Sequence, residues 1–430
     1  MKRPLISLLL LSLVVLSAGA QTTREELRAH LELASGNYCD YPLPTGELTP
    51  APEGYEPFYI SHYGRHGARY MTNDRAYRRL LHQLDTARTL ELLTPLGENV
   101  YHRLEAAYAD AWHRDGDLTA LGGRQHRGIA RRMVENYPSL LGQPLSVKAN
   151  SSTVRRCMLS MAYFCLELQS LNPTLSVEMD ASSHDMHYLT SNDSIAIPEA
   201  AGNGALYRKL DAFRHEMLNG RRQLALVFTD PVRAKEFVDP YTFADDLWNI
   251  TSDMLCVPEL KLSFNDLFTD DELIDGFRAY NASWCLWEGL MPGSQPSYYG
   301  IYPLLKNFLD EADAMIRSGE SGLRLRFGHD SALLPLAFLF GVKEAVYATD
   351  DMEDLHHHFT LFRLIPMAGN IQLVFFRKPG SEDILVKFLM NENETSIPLS
   401  TDCYPYYHWT DVERFYRGQI EAAGITYKDR

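Results

Sequence analysis

Apolar residues recur with two different periods along this chain, and the period changes with position. Short runs rich in β-branched and aromatic residues, bounded by glycine, proline or polar residues, predict strands. These runs are 57–63, 145–152, 175–182, 323–327, 371–378 and 384–391. Segment 122–137 places its apolar residues on one face at helical spacing, which predicts an amphipathic helix. Segment 154–168 is apolar nearly all round and predicts a buried helix, with Ser151 and Ser152 as candidate caps.

Predicted strands and helices alternate near both ends of the chain, whereas residues 190–317 predict helices almost throughout. Such alternation favours the α/β class, with a mostly parallel sheet flanked by helices. We therefore predict an α/β core of residues 57–189 and 318–430 and an inserted, mostly helical cap of residues 190–317. Residues 21–56 form a lead-in whose later part is rich in proline and glycine. In such folds, ligand pockets form at the carboxyl ends of the parallel strands.

The first twenty residues have the three parts of a secretory signal peptide. Lys2 and Arg3 give a positive start, residues 5–16 are almost entirely apolar, and residues 18–20 read Ala-Gly-Ala. The apolar run is too short to span a bilayer comfortably, which disfavours the alternative of a retained anchor. A lipid-modified lipoprotein would need a cysteine after the cleavage point, and Gln21 stands there. We predict cleavage after Ala20, a periplasmic or secreted protein, and no stable membrane insertion afterwards.

The charge of the chain limits its partners. The formal net charge of the 430 residues is −15, and it becomes −17 when Lys2 and Arg3 are removed (−15 − 2). A strongly acidic protein is not expected to bind nucleic acid. An anionic small molecule remains a possible ligand, because a local basic pocket can exist inside an acidic protein. The sequence leaves the oligomeric state open.

Six cysteines in an exported chain allow disulfides. Cys157 and Cys165 lie on one predicted helix, where eight residues rise about 12 Å, too far for a bridge. The pairing of the other four stays open: Cys39, Cys256, Cys285 and Cys403. The chain has no CxxC, which disfavours a thiolate zinc site.

The sequence Gly-Arg-His-Gly-Ala-Arg at 64–69 directly follows the first predicted strand. Two arginines, Arg65 and Arg69, flank His66, and guanidinium groups offer forked donors that suit a phosphate or carboxylate. Their charges would lower the pKa of the imidazole and keep it neutral and nucleophilic. A neutral imidazole facing a bound phosphate is suited to attack on phosphorus. The alternative is a solvated basic turn.

A second candidate segment begins where the strand 323–327 ends. Gly328, His329 and Asp330 stand at the start of a predicted apolar helix. A helix N-terminus favours a bound anion, so His329 could help to hold a phosphate there. Asp330 could donate a proton to a leaving alkoxide. The alternative for Asp330 is a simple helix N-cap, which leaves the adjacent His329 unexplained.

Arg156 is the third candidate, because it lies in the first turn of the predicted buried helix. A charge in an otherwise apolar helix is costly unless it is paired. We interpret Arg156 as a further phosphate ligand. The alternative is that Arg155 and Arg156 both reach solvent.

Together these segments resemble the histidine acid phosphatases, the branch of the histidine phosphatase superfamily that includes phytases. The family motif R-H-G-x-R is matched by residues 65–69, and its H-D motif by His329 and Asp330. Residues 118–137 are similar to the family's L-T-x-x-G-x-x-Q-H segment, and residues 151–164 to the segment with its central arginine, here Arg156. The best match within the family is the multiple inositol polyphosphate phosphatases, through 151–160, 325–341 and 365–377.

The resemblance implies a role for each candidate. His66 is the nucleophile that becomes phosphorylated, and Asp330 protonates the leaving oxygen. The phosphate is held by Arg65, Arg69, Arg156 and His329. No metal or cofactor takes part, because arginines neutralise the phosphate. The substrate is an anionic phosphate ester, with inositol polyphosphates as the expected class.

Other functions stay open beside this one. The multiple inositol polyphosphate phosphatases typically carry H-A-E where this chain has His-Asp-Ser at 329–331, and Met71 replaces a usual proline. Both departures concern substrate preference, so a broad-specificity acid phosphatase is the first alternative. A phosphoryl mutase or a phosphate-binding relative without activity is less expected.

Some features are ambiguous from sequence alone. His62 is either a pocket residue or a structural one. The run His356–His358 invites a metal site, but adjacent side chains point in different directions and no suitable ligands stand nearby, which favours a solvated or hydrogen-bonded histidine cluster. Four basic residues of the predicted cap are either ligands for outer phosphates or plain surface residues: Lys209, Arg221, Arg222 and Lys306.

Overall fold

The computed structural model describes residues 23–347 and 349–428, and the predicted signal peptide of residues 1–20 lies outside them. Within these residues a single mixed sheet has the strand order β3-β2-β4-β1-β5-β6-β7, with β8 paired to β6. The strands are β1 (Glu56–Arg65), β2 (Ser146–Ser151), β3 (Ser176–Asp180), β4 (Gly322–Gly328), β5 (Asn370–Arg377), β6 (Ile384–Met390), β7 (Asn393–Glu394) and β8 (Tyr406–His408).

The sheet has a parallel half and an antiparallel half. Strands β3, β2, β4 and β1 run parallel, and the connections between them contain helices, as parallel pairing requires. Strands β5 and β6 are joined by a short turn, and a short turn permits only antiparallel pairing. The predicted α/β class, with a sheet flanked by helices, is confirmed.

Besides the helical residues 23–29, eleven longer helices surround this sheet in the part of the chain that the structure describes. They are α1 (Arg75–Thr89), α2 (Pro95–Ala111), α3 (Ala120–Asn136), α4 (Arg155–Leu171), α5 (Asn203–Met217), α6 (Arg221–Val227), α7 (Pro240–Asp253), α8 (Asp270–Trp287), α9 (Tyr302–Ser318), α10 (Asp330–Leu339) and α11 (Trp409–Ala423). Short α-helical turns occupy Pro138–Leu141, Met186–Leu189, Pro231–Ala234 and Leu361–Leu364. Short 3-10 segments occupy Leu31–Tyr38, Ser183–Asp185, Met254–Cys256, Pro258–Leu260, Asn265–Leu267, Ser297–Ile301 and Leu355–His357.

Helix starts follow local chemistry. Thr94, Thr119 and Thr269 each accept a backbone N–H of the first helical turn, and Thr269 forms a full capping box with Glu272. Helix α4 behaves differently, because its N-cap is Val154 and no side chain caps it. The predicted capping by Ser151 or Ser152 is therefore wrong.

The apolar core is divided between the sheet and a helical layer. One cluster packs α9, α10 and α11 against β1, β5 and β6, and another packs α3 and α4 against β2 and β4. A further cluster joins α1 and α2 to α6, α7 and α8. The described elements of residues 190–317 are all helical, as predicted. The division of the chain into core and cap stays a prediction, since α9 packs on the sheet and α1 and α2 pack with the helical layer.

All six cysteines are free, and five of them are buried while Cys403 is half-buried. No helix among the described residues combines the length and the apolar character needed to cross a membrane.

Candidate active site

The three candidate segments meet because three parallel strands end at the same edge of the sheet. Arg65, the last residue of β1, is in register with Gly328, the last residue of β4. On the other side of β4, Ser151 at the end of β2 is in register with Phe327. The chain leaves these strand ends into residues 66–69, 329–330 and 152–156. The site therefore lies at the carboxyl ends of the parallel strands, where the fold class predicts it.

His66 is buried, with 1% of its surface exposed, and its ring orientation is defined. Its Nδ1 lies 2.9 Å from the carbonyl oxygen of Gly67. A carbonyl oxygen only accepts hydrogen bonds, so Nδ1 carries the proton and Nε2 keeps a free lone pair. Burial, and then the charges of Arg65, Arg156 and Arg69, hold the pKa of His66 well below its ordinary value of 6.5. The imidazole is therefore neutral and nucleophilic at Nε2.

The turn after His66 is fixed by close packing. A side chain at Gly67 would have its Cβ 2.5 Å from the Cα and the carbonyl oxygen of Gly122, so only glycine fits. The amide of Gly67 donates to Ser160 Oγ at 3.1 Å, and the amide of Ala68 donates to Gln125 Oε1 at 2.7 Å. Gly122 and Gln125 both lie on α3, so the segment 118–137, which resembles the histidine acid phosphatases, packs directly against the turn after His66.

Arg65 and Asp330 form a buried ion pair. Arg65 NH2 lies 2.7 Å from Asp330 Oδ2, and Arg65 is fully buried. The other guanidinium nitrogen, NH1, donates to the carbonyl oxygens of Asn37 at 2.5 Å and Ile365 at 2.6 Å. Asn37 also donates to Asp330 Oδ2 at 3.1 Å. Burial raises the pKa of Asp330, but the charges of Arg65, Arg69 and His329 together lower it below its ordinary value of 3.8. In the resting site Asp330 is thus an ionised carboxylate.

Arg69 is held from several sides by groups that the sequence did not indicate. Its NH1 donates to the carbonyl oxygen of Tyr70 at 3.0 Å, and its guanidinium lies 5.3 Å from the centre of the Tyr38 ring. Asp253, at the end of α7, faces the same NH1 at 3.9 Å. Asp253 is fully buried, and neither of its oxygens has a hydrogen bond of good geometry among the described residues. Burial, opposed in part by Arg69, raises the pKa of Asp253 to about 7.

Arg156 and His329 contact each other. Arg156 NH2 lies 3.4 Å from His329 Nδ1, and Ser152 Oγ lies 3.2 Å from His329 Nε2. A guanidinium only donates, so Nδ1 accepts and the Nε2 proton faces Ser152. Burial, and then the charge of Arg156, lower the pKa of His329 to about 4. Arg155, by contrast, is exposed and pairs with Asp117 at 3.0 Å. The two neighbouring arginines therefore point in different directions.

The structure thus brings all six predicted site residues together, and their individual roles stay predictions. It places His329 in the N-cap position of α10 and Asp330 at its first helical residue, with the Asp330 carboxylate directed to Arg65. It adds Asn37, Tyr38 and Asp253, which lie in segments without a motif that would indicate a site. A buried asparagine or aspartate leaves no signal in a hydrophobicity pattern.

The ambiguous residues are resolved by their contacts. His62 packs between the rings of Phe164 and Phe327 at 5.4 Å each, so its role is structural. Three of the four basic residues that the sequence left ambiguous between phosphate ligands and surface residues have local partners. Lys209 donates to the carbonyl oxygen of Asp350 at 2.5 Å, Arg222 to that of Leu267 at 2.9 Å, and Lys306 pairs with Asp310.

Comparison with known proteins gives one relative and several similar folds. The chain is 24% identical over 434 residues to multiple inositol polyphosphate phosphatase 1 of Gallus gallus, covering 94% of this chain and 90% of that protein. Its fold is similar to Bifidobacterium longum multiple inositol polyphosphate phosphatase in complex with inositol hexasulfate, at a TM-score of 0.71 and 18% identity over 88% of this chain and 96% of that chain. The phytase from D. castellii is similar at a TM-score of 0.64 and 15% identity, over 90% of this chain and 85% of that chain. No family model matches the chain.

Proposed function

From its confirmed resemblance to the multiple inositol polyphosphate phosphatases, we propose that this chain is a phosphoric monoester hydrolase acting on inositol polyphosphates without a metal, through a phosphohistidine. One observation carries the proposal. The nucleophilic Nε2 belongs to a neutral, buried His66 whose pKa is lowered by the charges of three arginines, and one of these, Arg65, is paired with Asp330. The near full-length similarity to the Gallus gallus phosphatase supports the reaction class, and the inositol hexasulfate complex of the Bifidobacterium longum protein supports an anionic inositol ligand.

The first step transfers the phosphoryl group to the enzyme. Arg65, Arg69 and Arg156 bind the phosphate oxygens and neutralise their charge. His66 Nε2 attacks phosphorus in line, a P–N bond forms, and the bond from phosphorus to the inositol oxygen breaks. Asp330 donates its proton to that oxygen, which leaves as an alcohol.

Asp330 must be protonated for this step, although it is ionised in the resting site. Its low pKa results mainly from Arg65, with which it forms the ion pair. A bound phosphate dianion would compete for the same guanidinium and add negative charge beside Asp330, and both effects raise the pKa of the carboxyl group. Substrate binding itself therefore prepares the proton donor, and an acidic medium favours the same state.

The second step regenerates the enzyme. Water attacks the phosphorus of phosphorylated His66, Asp330 now accepts a proton from that water, and the P–N bond breaks. Inorganic phosphate leaves, and the imidazole returns to its neutral form. The hydrogen bond from Nδ1 to the Gly67 carbonyl is present throughout and holds the ring in one tautomer.

We further propose export to the periplasm or the medium, supported by the signal-like pattern of residues 1–20. A broad-specificity acid phosphatase is the second candidate, favoured by the single observation that the acidic residue directly follows His329, as Asp330, whereas the multiple inositol polyphosphate phosphatases typically carry a glutamate two residues after this histidine.

The test is phosphate release by purified residues 21–430 in the presence of EDTA. Phytate and an aryl phosphate are compared for the wild type, His66→Ala, and the control His102→Ala, which removes an exposed histidine. Hydrolysis of phytate that is lost only in His66→Ala is expected. Release from the aryl phosphate alone would favour the broad-specificity alternative. No release from either substrate by the folded wild type would refute the assignment.

A further inference from the structure

Three side chains of types that commonly bind metal ions lie close together just before α11, outside the candidate active site. They are Asp402, Cys403 and His408, whose ligand atoms all lie within 4.8 Å of one another. His408 Nε2 lies 3.1 Å from Asp402 Oδ1 and 4.0 Å from Cys403 Sγ. Asp402 and Cys403 are adjacent in the sequence, and a turn separates them from His408. They therefore match no common metal-binding spacing such as CxxC or HxxxH.

The second observation concerns the other nitrogen of the same histidine. His408 Nδ1 lies 2.9 Å from Asp383 Oδ1, in the turn between β5 and β6. Asp383 is itself held, because Tyr55 donates its hydroxyl proton to Oδ2 at 2.8 Å. A carboxylate on the distal nitrogen fixes the ring and leaves Nε2 to face Asp402 and Cys403. Metal-binding histidines are oriented in this way.

The spacing of the ligand atoms fits a tetrahedral ion. With metal bonds of about 2.3 Å to sulfur, 2.05 Å to nitrogen and 2.1 Å to oxygen, tetrahedral angles place sulfur and nitrogen about 3.6 Å apart and nitrogen and oxygen about 3.4 Å apart. The observed separations of 4.0 Å and 3.1 Å lie within a few tenths of an ångström of these values. Thr401 fixes the intervening turn, since its hydroxyl donates to the carbonyl oxygen of Tyr406 at 2.7 Å.

We propose that Asp402, Cys403 and His408 bind Zn²⁺, with water as the fourth ligand. One thiolate, one imidazole and one carboxylate suit this ion, whereas Mg²⁺ and Ca²⁺ prefer oxygen ligands alone. The ion crosslinks residues 402–408 just before α11, and His408 connects this segment to the turn between β5 and β6 through its hydrogen bond with Asp383.

The role of this site is structural and separate from the proposed catalysis. β1 pairs with β5 so that Gly64, beside the active site, faces Asn370, and Glu56 faces Arg377 at the other end. The zinc ligands and Asp383 lie at that other end, on the order of 25 Å from the active site along β1. Removing zinc should therefore lower thermal stability and leave phosphate release unchanged.

The test measures Zn²⁺ binding to the chelator-treated, tag-free chain by titration calorimetry. One ion per chain is expected for the wild type and for the control His102→Ala, which removes an exposed histidine beside Glu105. Cys403→Ser and His408→Ala should weaken binding at least 100-fold. Asp383→Asn, which keeps all three ligands, should weaken it by roughly 10- to 100-fold.

Two further readouts identify the sulfur ligand. Cobalt substitution should give a thiolate charge-transfer band that disappears in Cys403→Ser and persists in Cys165→Ser. Zn²⁺ should also slow maleimide labelling of Cys403. This cysteine is half-buried, whereas the other five are buried, so labelling reports mainly on Cys403. Absence of binding to the wild type, or binding that survives both Cys403→Ser and His408→Ala, would overturn the site and leave an Asp-His-Asp hydrogen-bonded array.

Discussion

Replacing the buried Asp253 by asparagine should change how stability depends on pH. Asp253 is fully buried, and its nearest charged neighbour is Arg69 NH1 at 3.9 Å. Burial raises the pKa of its carboxyl group from 3.8 to about 7. Between these two values the folded protein binds a proton that the unfolded chain has lost. Stability is therefore fully present below pH 3.8 and declines as the pH rises through about 7.

The size of this decline follows from the two pKa values. The difference between about 7 and 3.8 is about 3 pH units. At about 1.4 kcal/mol per unit, the free energy of unfolding falls by about 4 kcal/mol over the whole range. Between pH 5 and pH 8 the corresponding fall is about 2.5 kcal/mol. Asparagine has nearly the same shape and does not ionise, so Asp253→Asn should not show this fall.

Urea unfolding of the wild type and of Asp253→Asn at pH 5 and pH 8 tests the argument. The attraction between Arg69 and the ionised carboxylate lowers the pKa of Asp253 and is already contained in the value of about 7, so the comparison needs no separate correction. Asp115→Asn serves as the control, since it removes the same charge at an exposed position. Relative to the wild type, Asp253→Asn should gain about 2.5 kcal/mol between pH 5 and pH 8. An equal stability difference at the two pH values would refute the assignment of a raised pKa to Asp253.

Three further predictions concern the active site. Asp330→Asn should lower kcat for phytate by about 10²- to 10⁴-fold. The loss should be smaller for an aryl phosphate, because its good leaving group needs little protonation. Equal losses for both substrates would contradict the proton-donor role. The pH profile of kcat/KM should show no fall on the acid side near pH 6, because the pKa of His66 lies well below 6.5 in the free enzyme. The profile of kcat should fall on the alkaline side as Asp330 loses its proton in the substrate complex; an alkaline fall that persists in Asp330→Asn would assign it to another group. Gly67→Ala should reduce the free energy of unfolding by about 1–3 kcal/mol and abolish phosphate release, because the alanine Cβ would lie 2.5 Å from Gly122. A free energy of unfolding equal to that of the wild type would show that α3 can move away.

Several features of this protein were predictable from local sequence because their physical causes are local. The strands at 57–63, 323–327 and 371–378 are apolar runs between turn residues, and the structure has β1, β4 and β5 there. The segment 64–69 combines a strand end, two glycines and a histidine between two arginines, which is enough to suggest an anion site. His329 and Asp330 follow a strand in the same way. A parallel sheet then predicts that these strand ends meet.

The remaining features depend on contacts between distant parts of the chain. Asn37 and Asp330 are hydrogen-bonded although 293 residues separate them. Asp253 reaches Arg69 from a helix whose own pattern shows only an amphipathic surface. The antiparallel half of the sheet follows from a turn length, yet its register with β1 is decided by packing. The Asp330 carboxylate could have been a simple helix cap, and it is the approach of the buried Arg65 that makes it an ion-pair partner.

The sequence by itself determined the fold class, the three candidate phosphate-site motifs and the proposed nucleophile, since each depends on residue types within a few positions of one another. The tertiary structure alone decided the tautomer of His66, the ionisation of Asp330 and Asp253, and the meeting of Asp402, Cys403 and His408 with Asp383. These properties depend on burial and on distances of a few ångströms between groups. Folding sets those distances, and the linear order of residues does not contain them.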